Sequence, residues 1–271
     1  MARIRRIFKE LSSSENDELD ALLNSRISEQ VVTSRFNIPI RLSVLCRLKD
    51  DGWLNDEIIN FYIQLLKESS TGQENHFHQT YFYGRLRDHE GSFCYENVKN
   101  WNKDVNIFAF QKIFIPLHIN GDHWALAVID MTIKRISYVD SLKSNDGALR
   151  GLEILKMWLY KEAQRLGVPE PFDDYNLVSL ECPQQDNCND CGVFLLIFMH
   201  LMCLNEDINL MDQSVVHFMR RKVALSLMRG TLQVRKDGSS IYSVQLMKIV
   251  RMATTCDIIV KLEQVALRMI E

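Results

Sequence analysis

The stretch "CGVFLLIFMHLMCLN", residues 191–205, carries apolar side chains on every side. A helix without a polar face must be buried, so the rest of the chain has to be laid around this segment. The means to do so are present: 46 % of the 271 residues are hydrophobic and 25 % are charged, the balance of a globular chain with a real core. The length suits one large domain or two small ones. A net charge of −3 gives no global pull towards nucleic acid or an anionic membrane.

No apolar run is long enough to span a membrane. The opening "MARIRRIFK" is basic and amphipathic and lacks the apolar centre of a secretory signal. Seven cysteines, an odd count, suit free thiols in a reducing compartment. The chain is therefore expected in the nucleus or cytoplasm and not secreted.

Residues 12–35 read as a helix, with serine caps, early acids, and Leu19, Leu22 and Leu23 on one face. Pro39 makes "FNIPIRLSVLCRL" (36–48) an edge strand or turn. "WLNDEIINFYIQLLKES" (53–69) predicts a helix capped by Asn55 or Asp56. Residues 70–92 read as a loop with one strand near 81–83. Runs at 112–119, 123–131 and 135–142 predict an antiparallel meander. Helices are expected at 151–167 and 213–229, the latter ending at Gly230, and a strand at 175–184. A polar "RKDGSS" hinge and a helix from Tyr242 complete the tail.

Just before the buried helix stands "CPQQDNCNDCG", with three cysteines, Cys182, Cys188 and Cys191. A zinc site needs a second CxxC or an HxxxH, and neither is present, so no metal is expected. Redox motifs place glycine, proline or histidine between their cysteines, where this chain has Asn189 and Asp190. A single nucleophile fits best at Cys191. It begins the helix, where free N–H groups and the dipole favour a thiolate. Gly192 next to it lets a substrate backbone approach.

A thiolate nucleophile needs an imidazole, and the imidazole needs an orienting group. His76, His78 and His89 fall in the polar loop region and read as surface residues. His200, inside the apolar run, reads as a satisfied core histidine. His217 lies in an amphipathic segment with Arg220 and Arg221, and His118 has no acid at a telling spacing. His123 begins a strand and Asp140 ends the next. A hairpin loop centred between Met131 and Thr132 sets the two opposite each other. The alternative for Asp140 is a cap on the turn "DSLKSND". The thioester pathway also needs donors for an oxyanion. The Cys191 N–H is one, and Gln184 or Gln185 is the second.

"GDHWALAVID", "YVDSL", "CPQQDNCNDCGVFLL" and, upstream, "GWLNDEIINFY" resemble the ubiquitin-like-protein-specific cysteine proteases, the SUMO or sentrin proteases. The resemblance runs from about residue 38 to 230. It implies catalytic roles for His123, Asp140 and Cys191, and it selects Gln185 for the oxyanion. It also implies that Trp53 and Trp124 close over the diglycine end of a modifier, and that Asp56 contacts the substrate tail. Core packing is the alternative for both tryptophans. Strand alternation sets Trp124 on the face opposite His123, so a substrate-facing Trp124 predicts an irregular strand start at Gly121-Asp122. Two departures from the family pattern are Cys188, where a small residue is common, and the tail after Gly230.

The resulting expectation is an α+β, papain-like cysteine protease fold. A mixed, mainly antiparallel sheet packs against a buried central helix that carries the nucleophile. A helical extension (1–37), a catalytic domain (38–230) and a C-terminal helical extension (231–271) are expected. The implied activity is thiol proteolysis after the C-terminal Gly-Gly of a ubiquitin-like modifier, for deconjugation or precursor maturation, by a monomer that needs no cofactor. The alternatives are a neddylation-modifier protease of the same fold, an acetyltransferase with the same order of catalytic residues, and a dead protease that only binds.

Overall fold

Ser12 opens the first long helix with a reciprocal cap: its hydroxyl accepts from the Glu15 N–H while Glu15 accepts from the Ser12 N–H. A computed structural model describes residues 2–69, 74–142, 148–169 and 175–232. It begins with helices α1 (Ala2–Ile7) and α2 (Ser13–Leu23). The predicted helix to residue 35 stops at Leu23 instead. The β-branched run at 31–33 then forms β1 (Val31–Arg35), paired with β2 (Ile38–Arg41). Phe36 and Asn37, both at positive φ, close this two-residue hairpin. Pro39 is tolerated because β2 has one neighbour only.

A short helix α3 (Leu42–Leu45) leads to α4 (Asp56–Glu68), where Asn55 supplies the cap by accepting from the Ile58 N–H. The 70–92 region departs from expectation. Its strand is β3 (Asn75–Phe77), and residues 81–85 form the short helix α5 (Tyr81–Arg85). A run of aromatic residues this short shows neither period clearly. The meander follows as expected: β4 (Lys112–Ile119), β5 (His123–Asp130) and β6 (Arg135–Val139). Then come α6 (Ala148–Leu166), β7 (Asn176–Ser179), α7 (Cys191–Cys203) and α8 (Val216–Arg229). Gly230, at φ 63°, ends α8 in the left-handed conformation.

The larger sheet has the order β3-β4-β5-β6-β7, with antiparallel pairs at its centre and parallel pairs at both edges. The architecture is α+β with a mixed sheet. One face carries Phe114, Trp124, Leu126 and Val128 and packs on α7, which α4 and α8 cover in turn. The other carries Ile113, Ile115, Ala127 and Ile129 beneath α5 and α6. The central helix is buried as its composition requires; only Met202 within it is partly exposed. His200 is satisfied there by the Tyr62 hydroxyl at 2.7 Å, and burial lowers its pKa to about 3. Ile4, Phe8 and Leu19 of the N-terminal segment share this core.

His78 departs from its expected surface position. It is 4 % exposed and stacks on Phe82, because β3 joins the sheet edge and α5 folds over it. His76 is half-buried beside it. One compact unit spans Met1–Gln233. The expected tail helix from Tyr242 lies outside the described residues. No helix among the described residues is long and apolar enough to cross a membrane.

Candidate active site

His123 is the first residue of β5, and its Nε2 lies 2.7 Å from Asp140 Oδ1, just beyond the end of β6. The contact was expected; the register that makes it was not. Leu126 pairs with Val139 and Asp130 with Arg135, so the hairpin loop is centred one residue later than predicted. Continuing that ladder sets Ala125 opposite Asp140. His123 is its diagonal neighbour on the same face, still within side-chain reach. The Asp140 carboxylate also accepts from the Tyr138 hydroxyl at 2.7 Å and from the Leu142 N–H at 2.8 Å.

With Nε2 engaged, the buried Nδ1 of His123 is left without another partner to face the thiol of Cys191. Burial opposes a charge on this ring. Hydrogen bonding to Asp140 and Cys191, with their negative charge, overcomes it and raises the His123 pKa to about 9. Cys191 is the first residue of α7 and 3 % exposed, and its N–H has no acceptor within the helix. Asp190, just before it, gives its carboxylate to Arg220, Asn187 and Gln213. Burial pushes the Asp190 pKa up, but these donors bring it below the usual carboxylate value.

The two glutamines point to different tasks. Gln184 donates to the backbone carbonyls of Asp140, at 3.0 Å, and Cys182, at 2.9 Å. Gln185 accepts from the Ser141 hydroxyl at 2.6 Å, and its Nε2 donates to the Asn187 carbonyl at 2.7 Å. A primary amide nitrogen carries two hydrogens, so one remains for an incoming oxygen. Cys188 is exposed, unlike Cys191.

A cavity of about 310 Å³ is lined by Trp53, Asp56, His118, Trp124 and, next to His123 in the chain, Asp122, among others. Trp53 is 45 % exposed and Trp124 7 %. The expected irregular strand start is absent: the β4–β5 ladder runs unbroken through His118↔Trp124 and Ile119↔His123. No bulge is needed, because the cavity opens on the α7 face of the sheet, where regular alternation already sets Trp124. The indole N–H donates to the Leu54 carbonyl at 2.9 Å, and His118 stacks on the ring at 4.2 Å. Asp56 accepts a hydrogen bond from the Tyr81 hydroxyl, whose pKa this bond raises to about 12.

Residues 52–231 match the family model for the Ulp1 protease family, C-terminal catalytic domain. The chain belongs to the Ulp1 protease family. This Ulp1-family chain is 31 % identical to human Sentrin-specific protease 2 over 222 residues, covering 79 % of this chain and 36 % of that protein. It is 33 % identical to Ubiquitin-like-specific protease 1 of Saccharomyces cerevisiae over 195 residues, covering 70 % of this chain and 30 % of that one. The chain thus spans about a third of the length of these relatives. Among solved structures, it superposes on the C-terminal Ulp1 protease domain in complex with Smt3, the yeast ortholog of SUMO. The TM-score is 0.74 at 29 % identity, covering 82 % of this chain and 97 % of that one.

Two residues that support this candidate site are not singled out by the sequence. Tyr138, two residues before Asp140 on the same strand face, was visible in "YVD" as a neighbour able to donate to the carboxylate. Arg220 lay in a segment read as amphipathic, yet it is 2 % exposed and bound to Asp190. No local pattern distinguishes it from Arg221.

Proposed function

We propose that this chain is a thiol peptidase that hydrolyses the bond after the C-terminal Gly-Gly of a ubiquitin-like modifier of the SUMO class, in deconjugation, precursor maturation or both. The observation that carries the reading is the Cys191–His123–Asp140 array, together with a cavity that Trp124, the chain neighbour of His123, lines with Trp53. The relatives named above act as its second support.

Cys191 attacks the carbonyl carbon of the terminal glycine. The developing oxyanion accepts hydrogen bonds from the free Nε2–H of Gln185 and from the Cys191 N–H. His123, holding on Nδ1 the proton taken from the Cys191 thiol, gives it to the leaving lysine amine as the C–N bond breaks. It then takes a proton from water, whose oxygen attacks the thioester carbon, breaking the C–S bond to free Cys191 and the modifier's carboxylate. Asp140 keeps the ring in the tautomer and orientation both steps require. Trp53 and Trp124 flank the tail where only glycine is narrow enough, and Asp56 meets the residues before it. No step calls for a cofactor or metal. We further propose that residues 38–230 hold the catalytic machinery, with the N-terminal segment packed into the same core, and that the protein acts as a monomer in the nucleus or cytoplasm on modifier-lysine conjugates.

The test is to offer the purified chain SUMO-class and neddylation-class modifiers, each extended beyond Gly-Gly, and to follow release of the extension. Cleavage of the SUMO-class substrate that Cys191→Ala abolishes is the expected result. Preference for the neddylation-class modifier would reassign the substrate. Release of free thiol from acetyl-CoA with no cleavage of either would indicate an acetyltransferase.

A further inference from the structure

Arg220 sits in α8 with 2 % of its surface exposed and every guanidinium donor in use. Nε donates to Asp190 Oδ1 at 2.9 Å. The terminal nitrogens donate to the carbonyls of Lys49 and Gly52, both at 2.9 Å, of Asn189 at 3.1 Å and of Arg47 at 3.3 Å. These acceptors belong to two segments far apart in sequence. One is the loop 47–52, which delivers Trp53. The other is the pair of residues that precedes the nucleophile.

Trp53 needs such a tether. At 45 % exposure it is not fixed by burial, so its place depends on the backbone that carries it. That backbone doubles back tightly: a Cβ on Gly52 would lie 2.2 Å from the Arg47 carbonyl oxygen. Three carbonyls of the turn, those of Arg47, Lys49 and Gly52, converge on one guanidinium; without it each loses that donor, and the Lys49 carbonyl keeps the Gly52 N–H at 3.2 Å. Two outer contacts run the same way. Asn189 Nδ2 donates to Asp51 Oδ1 at 3.0 Å, and a Cβ on Gly192 would come within 2.7 Å of Leu54 Cβ.

We propose that Arg220 is a positioning residue that fixes the Trp53 loop relative to the start of the nucleophile helix, and so sets the width of the cavity that Trp53 and Trp124 line. It touches neither substrate nor the reacting atoms. Its catalytic consequence rests on the peptidase reading, but the mechanical claim does not. Lysine cannot replace it. A lysine ammonium keeps a cation against Asp190 but has three donors and no planar fork to span two segments.

The experiment compares wild type with Arg220→Lys and Arg220→Met by three readouts. The first is the rate at which a small haloacetamide alkylates Cys191. The second is kcat and KM on a Gly-Gly-extended modifier. The third is amide exchange in residues 50–54 against the centre of α7. For Arg220→Lys, alkylation should stay near wild type while kcat/KM falls about a hundredfold, the cost of a small misplacement, with the larger share in KM. Exchange at 50–54 should accelerate while α7 is unchanged.

A proportional loss of alkylation and processing with unchanged exchange at 50–54 would reduce Arg220 to a structural residue and overturn the proposal. So would unchanged kcat/KM. Should Arg220→Met fail to fold, Arg220→Lys decides together with Asn189→Ala, which cuts the outer tie and should act in the same direction to a smaller extent. If the wild type processes no modifier, the peptidase reading fails by itself, and exchange at 50–54 still decides the clamp.

Discussion

The indole N–H of Trp124 donates to the backbone carbonyl of Leu54 at 2.9 Å, tying the strand that begins with His123 to the segment that carries Trp53. The ring is thereby fixed against the cavity and is not simply core filling. A modifier ending in Gly-Gly should be processed, and one with alanine at the penultimate position should lose most of its kcat/KM. Trp124→Ala should lower processing of Gly-Gly and narrow the gap between the two substrates. A two-by-two comparison of enzyme and substrate variants measures this. Equal processing of both substrates by the wild type would remove the narrow passage.

Gln185→Ala removes the proposed oxyanion donor and should cut turnover by about 10²–10³ with little change in modifier binding. Gln184→Ala removes a brace on the Asp140 carbonyl instead. Its loss should be smaller and should come with an altered titration of His123. Single-turnover rates of both variants across pH separate the two roles. Equal, small losses would reduce both glutamines to loop residues.

Tyr138→Phe deletes one donor to the buried Asp140 carboxylate without changing shape. A hydrogen bond to a charged group typically contributes about 1.5–3 kcal/mol, so the urea midpoint should fall accordingly. Turnover should fall as well, because Asp140 loses one of the partners that orient it. An unchanged midpoint would show that water replaces the hydroxyl.

The raised pKa of His123, about 9, has a definite sign in stability. The folded state holds the proton more tightly than an ordinary histidine of pKa ~6.5. The stabilisation is therefore fully present below about 6.5 and is lost as pH rises through about 9. His123→Gln should flatten that part of the stability–pH curve. Denaturant midpoints at several pH values test it, and a wild-type curve without a decline between these limits would contradict the assignment.

The parts of this fold set by continuous patterns were readable from sequence. The all-apolar run of α7 required burial, and three strand-length runs with short breaks required a meander. The contact of His123 with Asp140 and the place of Cys191 at the start of α7 follow the sequence expectation. What escaped was decided by contacts distant in sequence. The centre of the β5–β6 loop moved by one residue, because Thr132 and Ile133 mark a turn no better than Met131. Residues 31–35 left the expected helix because a partner strand was available at 38–41. The expected bulge before His123 was unnecessary, because the side of the sheet on which the cavity opens is a property of the whole fold. Arg220 was hidden for the same reason: the carbonyls that bury it come from a loop more than a hundred residues away.

The most direct measurement is covalent capture. The purified chain is incubated with SUMO-class and neddylation-class modifiers whose C-terminal glycine carries an electrophilic trap, and the site of attachment is mapped by mass spectrometry. The account predicts a single adduct with the SUMO-class modifier, on Cys191, absent from Cys191→Ala and reduced in the Gln185 and Trp124 variants. Attachment at Cys188, or no adduct with any modifier on the folded protein, would contradict it.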